Sequence, residues 1–449
     1  MGKLFGTDGI RGEANRYPMN AEIAFLVGQA VTRVFKKPEH KTRVIIGKDT
    51  RISGYMLESS LEAGISSMGG ISYLVRVLPT PGIAFITESM RADAGIVISA
   101  SHNPFQDNGI KIFGGDGYKL SDEKEAEIEN LMLNGELSRM LPPAHEMGRS
   151  YRMEDATGRY VVFLKNTFPR RFSIEGMKIV LDVSHGATYR VAPAVFSELG
   201  ADVTVINDEP DGLNINADCG SQYTEGLERK VLETGASIGL AFDGDGDRLI
   251  AVDEKGRRIT GDQILLICAK VLKDRNGLLN DLLVSTVMSN IGLPIACRKL
   301  GLRHHRARVG DRYVLEDMQR LGAVIGGEES GHMIFLDHHT TGDGILTAIQ
   351  LISAMISEGK PLSELAAMMD IYPQSLINVD VESKPEISTV SMIVDAIKTA
   401  EDELGKDGRV LVRYSGTQKM CRVMVEGPSD EVTCRLCDMI ASAVKTSIG

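Results

Sequence analysis

The stretch Ala94-Gly-Ile-Val-Ile98-Ser-Ala-Ser101-His102-Asn103-Pro104 joins a short apolar run to a polar turn. Such a run suits a strand buried on both faces. Upstream, residues 20–34 and 55–68 carry helical spacing, while 43–46 and 71–75 repeat the short apolar pattern. Strands alternating with helices predict parallel α/β layers. In open sheets of that kind ligands bind just outside the carboxyl ends of strands, so the turn after Ile98 is where chemistry is sought.

The alternation resumes at 178–182, 191–199 and 202–206, beyond a turn-rich interval around Leu141-Pro142-Pro143-Ala144-His145-Glu146. It returns after Gly256, with a helix-like stretch at 262–272 and strand-like stretches at 282–285 and 323–325. From Tyr372 the order changes to strand, helix, strand, strand, helix, at 375–381, 393–404, 410–413, 422–426 and 431–444. These shifts divide the chain into 1–155, 156–255, 256–368 and 369–449, each of ordinary domain size.

Composition narrows the function classes. In 449 residues, 43% are apolar and 25% charged, which excludes disordered, collagen-like and coiled-coil chains. A net charge of -11 argues against general nucleic-acid binding, so an anionic substrate must be met by local positive charge. The first residues match neither a secretory signal nor a myristoylation site. Apolar stretches such as 264–269 are too short to span a bilayer, and a cytoplasmic protein with no membrane partner is expected. Six cysteines are too few for a disulfide scaffold. Cys434-Arg-Leu-Cys437 has zinc or redox spacing, but it falls in the helical pattern of 431–444 and reads as part of a core helix.

Four polar loops begin where apolar strands end. In the first, Ser101 offers a hydroxyl on a stiff turn, a form suited to a covalent nucleophile. His102 beside it invites a serine-hydrolase reading, but adjacent side chains on an extended loop should point apart, and no G-x-S-x-G elbow surrounds Ser101. A turn closed by Asn103-Pro104 is the purely structural alternative. The second loop, Asp243-Gly-Asp245-Gly-Asp247-Arg248, can turn three carboxylates onto one cation because its glycines permit a tight curl. Oxygen ligands favour Mg²⁺ over zinc. Glu254 would complete an EF-hand spacing, but Arg248 stands where that loop needs glycine, and the flanks read as strands.

The third loop, Gly326-Gly-Glu328-Glu329-Ser330-Gly331-His332, has carboxylates and a hydroxyl for a polyhydroxyl ligand, and a histidine able to move protons near pH 7. The fourth, Arg413-Tyr-Ser415-Gly416-Thr417-Gln418-Lys419, combines arginine, hydroxyls and turn N–H groups as a phosphate cradle, with Arg422 close by. Arg298, Lys299, Arg303, Arg306, Arg308 and Arg312 form the most basic stretch. Without aromatic interleaving it reads as solvated surface, or as steering for a small phosphorylated substrate.

These loops, with Phe5-Gly-Thr-Asp-Gly-Ile-Arg11-Gly, Ser99 through Lys111 and Val309-Gly-Asp-Arg-Tyr-Val, resemble the signature segments of the α-D-phosphohexomutases, in order along essentially the whole chain. The N-terminal motif, Asn214-Ile-Asn216-Ala-Asp-Cys219-Gly220-Ser and the Val309 segment are most similar to the bacterial branch that interconverts glucosamine 6-phosphate and glucosamine 1-phosphate. Branches acting on mannose or glucose phosphates are the alternative.

The resemblance implies four domains around a central active-site cleft: three related mixed-sheet α/β domains and a C-terminal α+β domain. It implies Ser101 carried as phosphoserine, one Mg²⁺ per active site held by Ser101, Asp243, Asp245 and Asp247, and glucose- or glucosamine-1,6-bisphosphate as intermediate and primer. It assigns Lys111 to proton transfer, Arg11, Arg248 and His332 to charge and proton movement, Glu328 and Ser330 to sugar hydroxyls, and Arg413, Ser415, Gly416 and Thr417 to the distal phosphate. A small phosphosugar, an activating source of phosphate for Ser101 and a homodimer are the partners it suggests. Relatives usually carry Glu-Pro where this chain has Gln418-Lys419, so a looser loop with one more positive charge is expected.

Overall fold

The computed structural model describes residues 4–6, 8–414 and 419–449. The first sheet is built from β1 (Ile10–Glu13), β2 (Arg43–Lys48), β3 (Ile71–Val77), β4 (Ala94–Ile98), β5 (Asp107–Gly114) and β6 (Arg149–Arg152) in the order β1-β5-β4-β2-β3-β6. Its helices are α1 (Ala21–Val34), α2 (Ser53–Ser67), α3 (Thr80–Ser89) and α4 (Asp122–Leu133), with α5 (Ala156–Asn166) following. Asn20 starts α1 by accepting the Ile23 N–H at 3.0 Å. Ile23, Val27 and Val31 of α1 and Leu57, Leu61 and Ile65 of α2 share one core with Val44, Ile46, Ile96, Ile98, Ile110 and Ile112 of the sheet. Each such buried side chain is worth about 1.5–3 kcal/mol. The two helices approach at glycines: a Cβ on Gly28 would lie 2.4 Å from the Leu61 carbonyl oxygen, and one on Gly64 2.2 Å from that of Phe25.

The second sheet contains β7 (Lys178–Asp182), β8 (Asp202–Ile206), β9 (Ile238–Phe242), β10 (Leu249–Asp253) and β11 (Arg258–Ile259), with α6 (Val191–Glu198) and α7 (Glu225–Thr234). The third contains β12 (Leu282–Thr286), β13 (Arg303–Ala307), β14 (Ile325–Gly327) and β15 (Met333–Phe335), with α8 (Gly261–Asp274), α10 (Asp311–Leu321), α11 (Gly344–Glu358) and α12 (Leu362–Ala366); α9 (Gly292–Lys299) belongs to a separate unit. The strand expected at 323–325 begins only at Ile325 and runs on through both glycines of the loop.

One arrangement recurs three times, as β3-β2-β4-β5, β8-β7-β9-β10 and β13-β12-β14-β15. The first three strands of each set are parallel and the fourth is antiparallel to its neighbour. The parallel layers expected from the alternation alone are therefore mixed, as the family resemblance implies. The reason is loop length: 99–106, 243–248 and 328–332 are too short for the dozen or more residues a parallel crossover needs, so each chain segment must turn straight back. Each of the three chemistry-bearing loops occupies that same return.

Residues 289–301 and 369–449 form the second compact unit. Here β16 (Gln374–Asp380), β17 (Arg409–Tyr414) and β18 (Met420–Glu426) make an antiparallel sheet in the order β16-β18-β17, covered by α13 (Ser391–Leu404) and α14 (Asp430–Ile448). Its core includes Ile393, Leu404, Val423, Val425, Leu436, Ile440 and Val444. Cys437 is buried and donates to the Val423 carbonyl at 3.4 Å, whereas Cys434 on the same helix is exposed. None of the six cysteines, all of them among the described residues, forms a disulfide. Among the described residues no helix is long and apolar enough to cross a membrane.

Candidate active site

The serine loop is held from beneath by a fully buried polar cluster. Asp49 follows β2, pairs with Arg51 and accepts the Ser99 hydroxyl at 2.5 Å; the Ser99 oxygen in turn accepts the Ser101 N–H at 2.9 Å. Ser101 takes the left-handed conformation, with φ 52°. This overturns the expectation that Ser101 and His102 point apart, because the turn is not extended: Ser101 Oγ lies 3.4 Å from His102 Nδ1. The hydroxyl nonetheless donates to Asp243 Oδ2 at 2.6 Å, a far better bond. Burial, with Arg248 and Arg11 adding to it, lowers the pKa of His102 to about 4, so the imidazole is neutral at pH 7. The hydroxyl proton is thus committed to Asp243 and not to the imidazole, which argues against a serine-hydrolase dyad.

In the second loop Gly246, at φ 73°, allows the curl that brings Asp243, Asp245 and Asp247 together. All three are buried, and one oxygen of each lies within 4.8 Å of the others. Asp245 Oδ2 accepts from Thr80 Oγ1 at 2.6 Å and from Lys111 Nζ at 2.9 Å. Asp243 Oδ1 accepts the Arg248 N–H at 3.1 Å. Asp245 Oδ1 and Asp247 Oδ1 are buried without a hydrogen-bond partner. Burial, then repulsion from Asp247 and Asp245, drives the Asp243 pKa well up. Three buried carboxylates gathered this closely, two of them with an oxygen that makes no hydrogen bond, are what a hard, oxygen-preferring cation would satisfy, so the residues fit such an ion.

A chain of alternating charges extends from this triad. Lys111 on β5, 2% exposed, also lies 3.2 Å from Asp8 and 3.5 Å from Asp247. Burial works against its charge, but Asp245, Asp8 and Asp247 overcome it and raise its pKa, so the ammonium stays protonated. Asp8 pairs with Arg11 and with Lys119, and Lys119 pairs with Asp311 at the start of α10. His332 is buried between Asp247 at 3.6 Å and Asp311 at 3.7 Å. Burial opposes its protonation, yet the two carboxylates raise its pKa. Gly342 makes room for the ring, since a Cβ there would lie 2.4 Å from the imidazole.

In the third loop Glu328 is half-buried, accepts the Gly310 N–H at 3.0 Å and lies 3.5 Å from the Ser330 hydroxyl. Glu329 is exposed. The loop is stitched to β10 by the Leu249 N–H donating to the Gly331 carbonyl at 3.0 Å. In the second unit, Arg413 on β17 stands directly opposite Arg422 on β18. Burial, then Arg422, lowers the Arg413 pKa, and Arg422 Nε is buried without a hydrogen bond. Like charges opposed on neighbouring strands are unfavourable unless an anion lies against them. Ser415, Gly416, Thr417 and Gln418 lie outside the described residues.

The structure thus gathers Ser101, Lys111, Asp243, Asp245, Asp247, Arg248 and His332 in one unit, with Arg11 joined through Asp8. It adds Asp8, Asp49, Arg51, Thr80, Lys119 and Asp311, which sequence reasoning did not single out as site residues. Asp49-Thr-Arg51 carried the same signal as the chosen loops, a polar cluster following an apolar strand. Asp8 lies inside the Phe5–Gly12 segment and Asp311 inside the Val309–Val314 segment. Nothing local marks Thr80 or Lys119, whose partners are distant in sequence.

Comparison with known proteins defines the class. Profiles described as phosphoglucomutase/phosphomannomutase α/β/α domains I, II and III and C-terminal domain match residues 2–139, 159–256, 260–372 and 376–443. A Burkholderia thailandensis phosphoglucomutase/phosphomannomutase family protein shares the fold, with a TM-score of 0.80 at 23% identity over 99% of this chain and 97% of that one. An Aspergillus fumigatus N-acetylphosphoglucosamine mutase, solved with GlcNAc-6P and magnesium, superposes with a TM-score of 0.70 at 18% identity over 99% and 95%. The four profiles and the fold place the chain among the phosphohexomutases, enzymes that transfer phosphoryl groups on sugar phosphates. Phosphoglucosamine mutases of Syntrophobacter fumaroxidans and Syntrophus aciditrophicus are 72% and 63% identical over the full length of both chains. The chain belongs to the phosphoglucosamine mutase family.

Proposed function

We propose that the chain interconverts glucosamine 6-phosphate and glucosamine 1-phosphate in the cytoplasm, as a homodimer, supplying the precursor of UDP-N-acetylglucosamine. Ser101 carries the phosphoryl group and must first receive it from an activating donor. The observation that carries this reading is the Ser101 hydroxyl, 2.6 Å from Asp243 inside a buried cluster of three carboxylates with unsatisfied oxygens. Asp243, Asp245 and Asp247, with Ser101, would hold Mg²⁺, which when bound neutralises phosphoryl oxygens.

The protein's own groups do the rest by position and charge. Lys111 enters with its proton on, so it compensates negative charge and donates rather than abstracts. His332, gripped by two carboxylates, holds or releases a proton at the neighbouring position, and Arg11 and Arg248 balance charge. Glu328 and Ser330 are assigned to sugar hydroxyls shared by both orientations of a 1,6-bisphosphate, which must turn so that either phosphate can return to Ser101. Arg413, Ser415, Gly416 and Thr417 are assigned to the distal phosphate, where charge-assisted bonds indifferent to the sugar carbon are needed.

The test is a side-by-side assay of glucosamine, mannose and glucose phosphates with a 1,6-bisphosphate primer and Mg²⁺, together with intact-mass analysis. The expected result is preference for glucosamine phosphates and an adduct of about 80 Da, the mass of a phosphoryl group, that Ser101→Ala abolishes. Preference for mannose or glucose phosphate, or turnover by Ser101→Ala near that of the unaltered chain, would overturn it.

A further inference from the structure

We propose that Asn216 is a positioning residue for Ser101, acting from the second α/β segment on the backbone of a loop that belongs to the first. The inference rests on the reading of Ser101 as the phosphoryl carrier.

Two side chains grip the same two carbonyl oxygens. Arg51 Nη2 donates to Ser101 O at 3.2 Å and to Asn103 O at 2.5 Å. Asn216 Nδ2 donates to Ser101 O at 2.9 Å and to Asn103 O at 3.0 Å. The left-handed turn at Ser101 is what brings both carbonyls within reach of single donors. A residue with a Cβ keeps such a conformation only where its surroundings over-determine it. Arg51 does so from its buried pair with Asp49, and Asn216 does so from the loop that follows β8.

The aspartate loop closes on the same atoms. A Cβ added to Gly244 would lie 2.6 Å from Ser101 O and 2.8 Å from Asn216 Nδ2, so the backbone between Asp243 and Asp245 is packed directly onto the clamped carbonyl. Asn216 is itself left-handed, at φ 59°, and its N–H donates to Ser184 O at 2.9 Å. Asparagine is among the few residues that tolerate this backbone while offering an amide donor. Asn216 therefore fixes the register between the loop bearing the hydroxyl and the loop bearing the carboxylates. It sets the Ser101 to Asp243 distance without touching either reacting group.

Two variants separate this role from simple folding support. Asn216→Gly keeps the left-handed backbone and deletes the amide; Asn216→Asp keeps the shape and turns an acceptor toward two carbonyls. Both are compared with the unaltered chain and with Ser101→Ala in the mutase assay, alongside urea unfolding. Displacement of a reacting atom predicts kcat lower by about 10-fold to 100-fold, with KM for the sugar phosphate changed by less than about 3-fold. Asn216→Asp should lose at least as much as Asn216→Gly, and the unfolding midpoint of Asn216→Gly should stay near that of the unaltered chain. A kcat within about 2-fold of the unaltered chain in both variants, or a loss that merely follows the folded fraction, would overturn the inference. If Ser101→Ala is inactive while the Asn216 variants are normal, only the positioning role fails; if Ser101→Ala turns over, the reading of Ser101 fails first.

Discussion

Lys111→Met removes the central cation of the site while keeping most of its volume. The ammonium lies 2.9 Å from Asp245, 3.2 Å from Asp8 and 3.5 Å from Asp247, and is 2% exposed. A unit pair at 4 Å is worth about 4 kcal/mol at an effective dielectric of about 20, while burying each ion costs several kcal/mol, so the intact cluster comes near to balance. Removing one partner is a different matter. Carboxylates left buried and uncompensated cost about 3–5 kcal/mol. Here the loss falls near 3 kcal/mol, the lower end of that range, because Asp245 keeps the Thr80 hydroxyl, Asp8 keeps Arg11 and Lys119, and Asp247 keeps Arg248 and His332. Urea unfolding in chelator measures it. Adding Mg²⁺ should narrow the gap, since a cation binding only the folded state stabilises by mass action where the lost charge stood. Turnover should fall by at least about 10²-fold, the usual contribution of a positioned proton donor. A variant as stable as the unaltered chain in chelator, or a gap indifferent to Mg²⁺, would refute the account of Lys111 as the charge that holds the triad together.

Gly28→Ala should destabilise by about 1–3 kcal/mol in the same unfolding assay, because its Cβ meets the Leu61 carbonyl and forces α1 from α2; an unchanged midpoint would show that the crossing can relax. Asp343→Asn tests a pH effect. Burial raises the Asp343 pKa to about 6, against the bonds from Leu346 N–H and Tyr160 OH that favour its charge. Between pH about 4 and about 6 the folded state holds a proton that the unfolded chain has released, so stability falls as pH rises through that window. The Asn variant should lack this slope and be more stable at pH 7 by about 1–3 kcal/mol; an identical slope in both proteins would refute the assignment. Arg413→Ala should lower kcat/KM by about 10-fold to 100-fold through lost phosphate binding, and an unchanged value would place that grip elsewhere.

Much of the fold could be read from periodicity. The strands at Ala94–Ile98 and Lys178–Asp182 stand where their apolar runs lie, because a short buried strand has no other way to be written, and Asp202–Ile206, only partly buried, stands where its β-branched run lies. The return strands were harder. In β5 the Asp107 to Gly114 segment mixes two glycines with Asp, Asn and a buried Lys111, so its polarity hides a strand that is buried along nearly all its length. In β15 three residues are too few to show a period. Periodicity equally hid the threefold repeat of strand order, which only the family resemblance implied, since topology can recur where residue identity does not.

The sequence by itself determined which residue types stand at the ends of strands, and those types already limited the chemistry to a hydroxyl, a carboxylate triad and scattered cations. Their identities are local facts, written in four loops. Tertiary structure alone decided which of them act together. The Ser101 hydroxyl meets Asp243 across 142 residues and Lys111 meets Asp245 across 134. Lys119 bridges Asp8 and Asp311, and Arg51 and Asn216 converge on the same two carbonyls. The physical reason is that a charge or hydrogen bond depends on separation in space and on the exclusion of water, and neither is set until the sheets have packed.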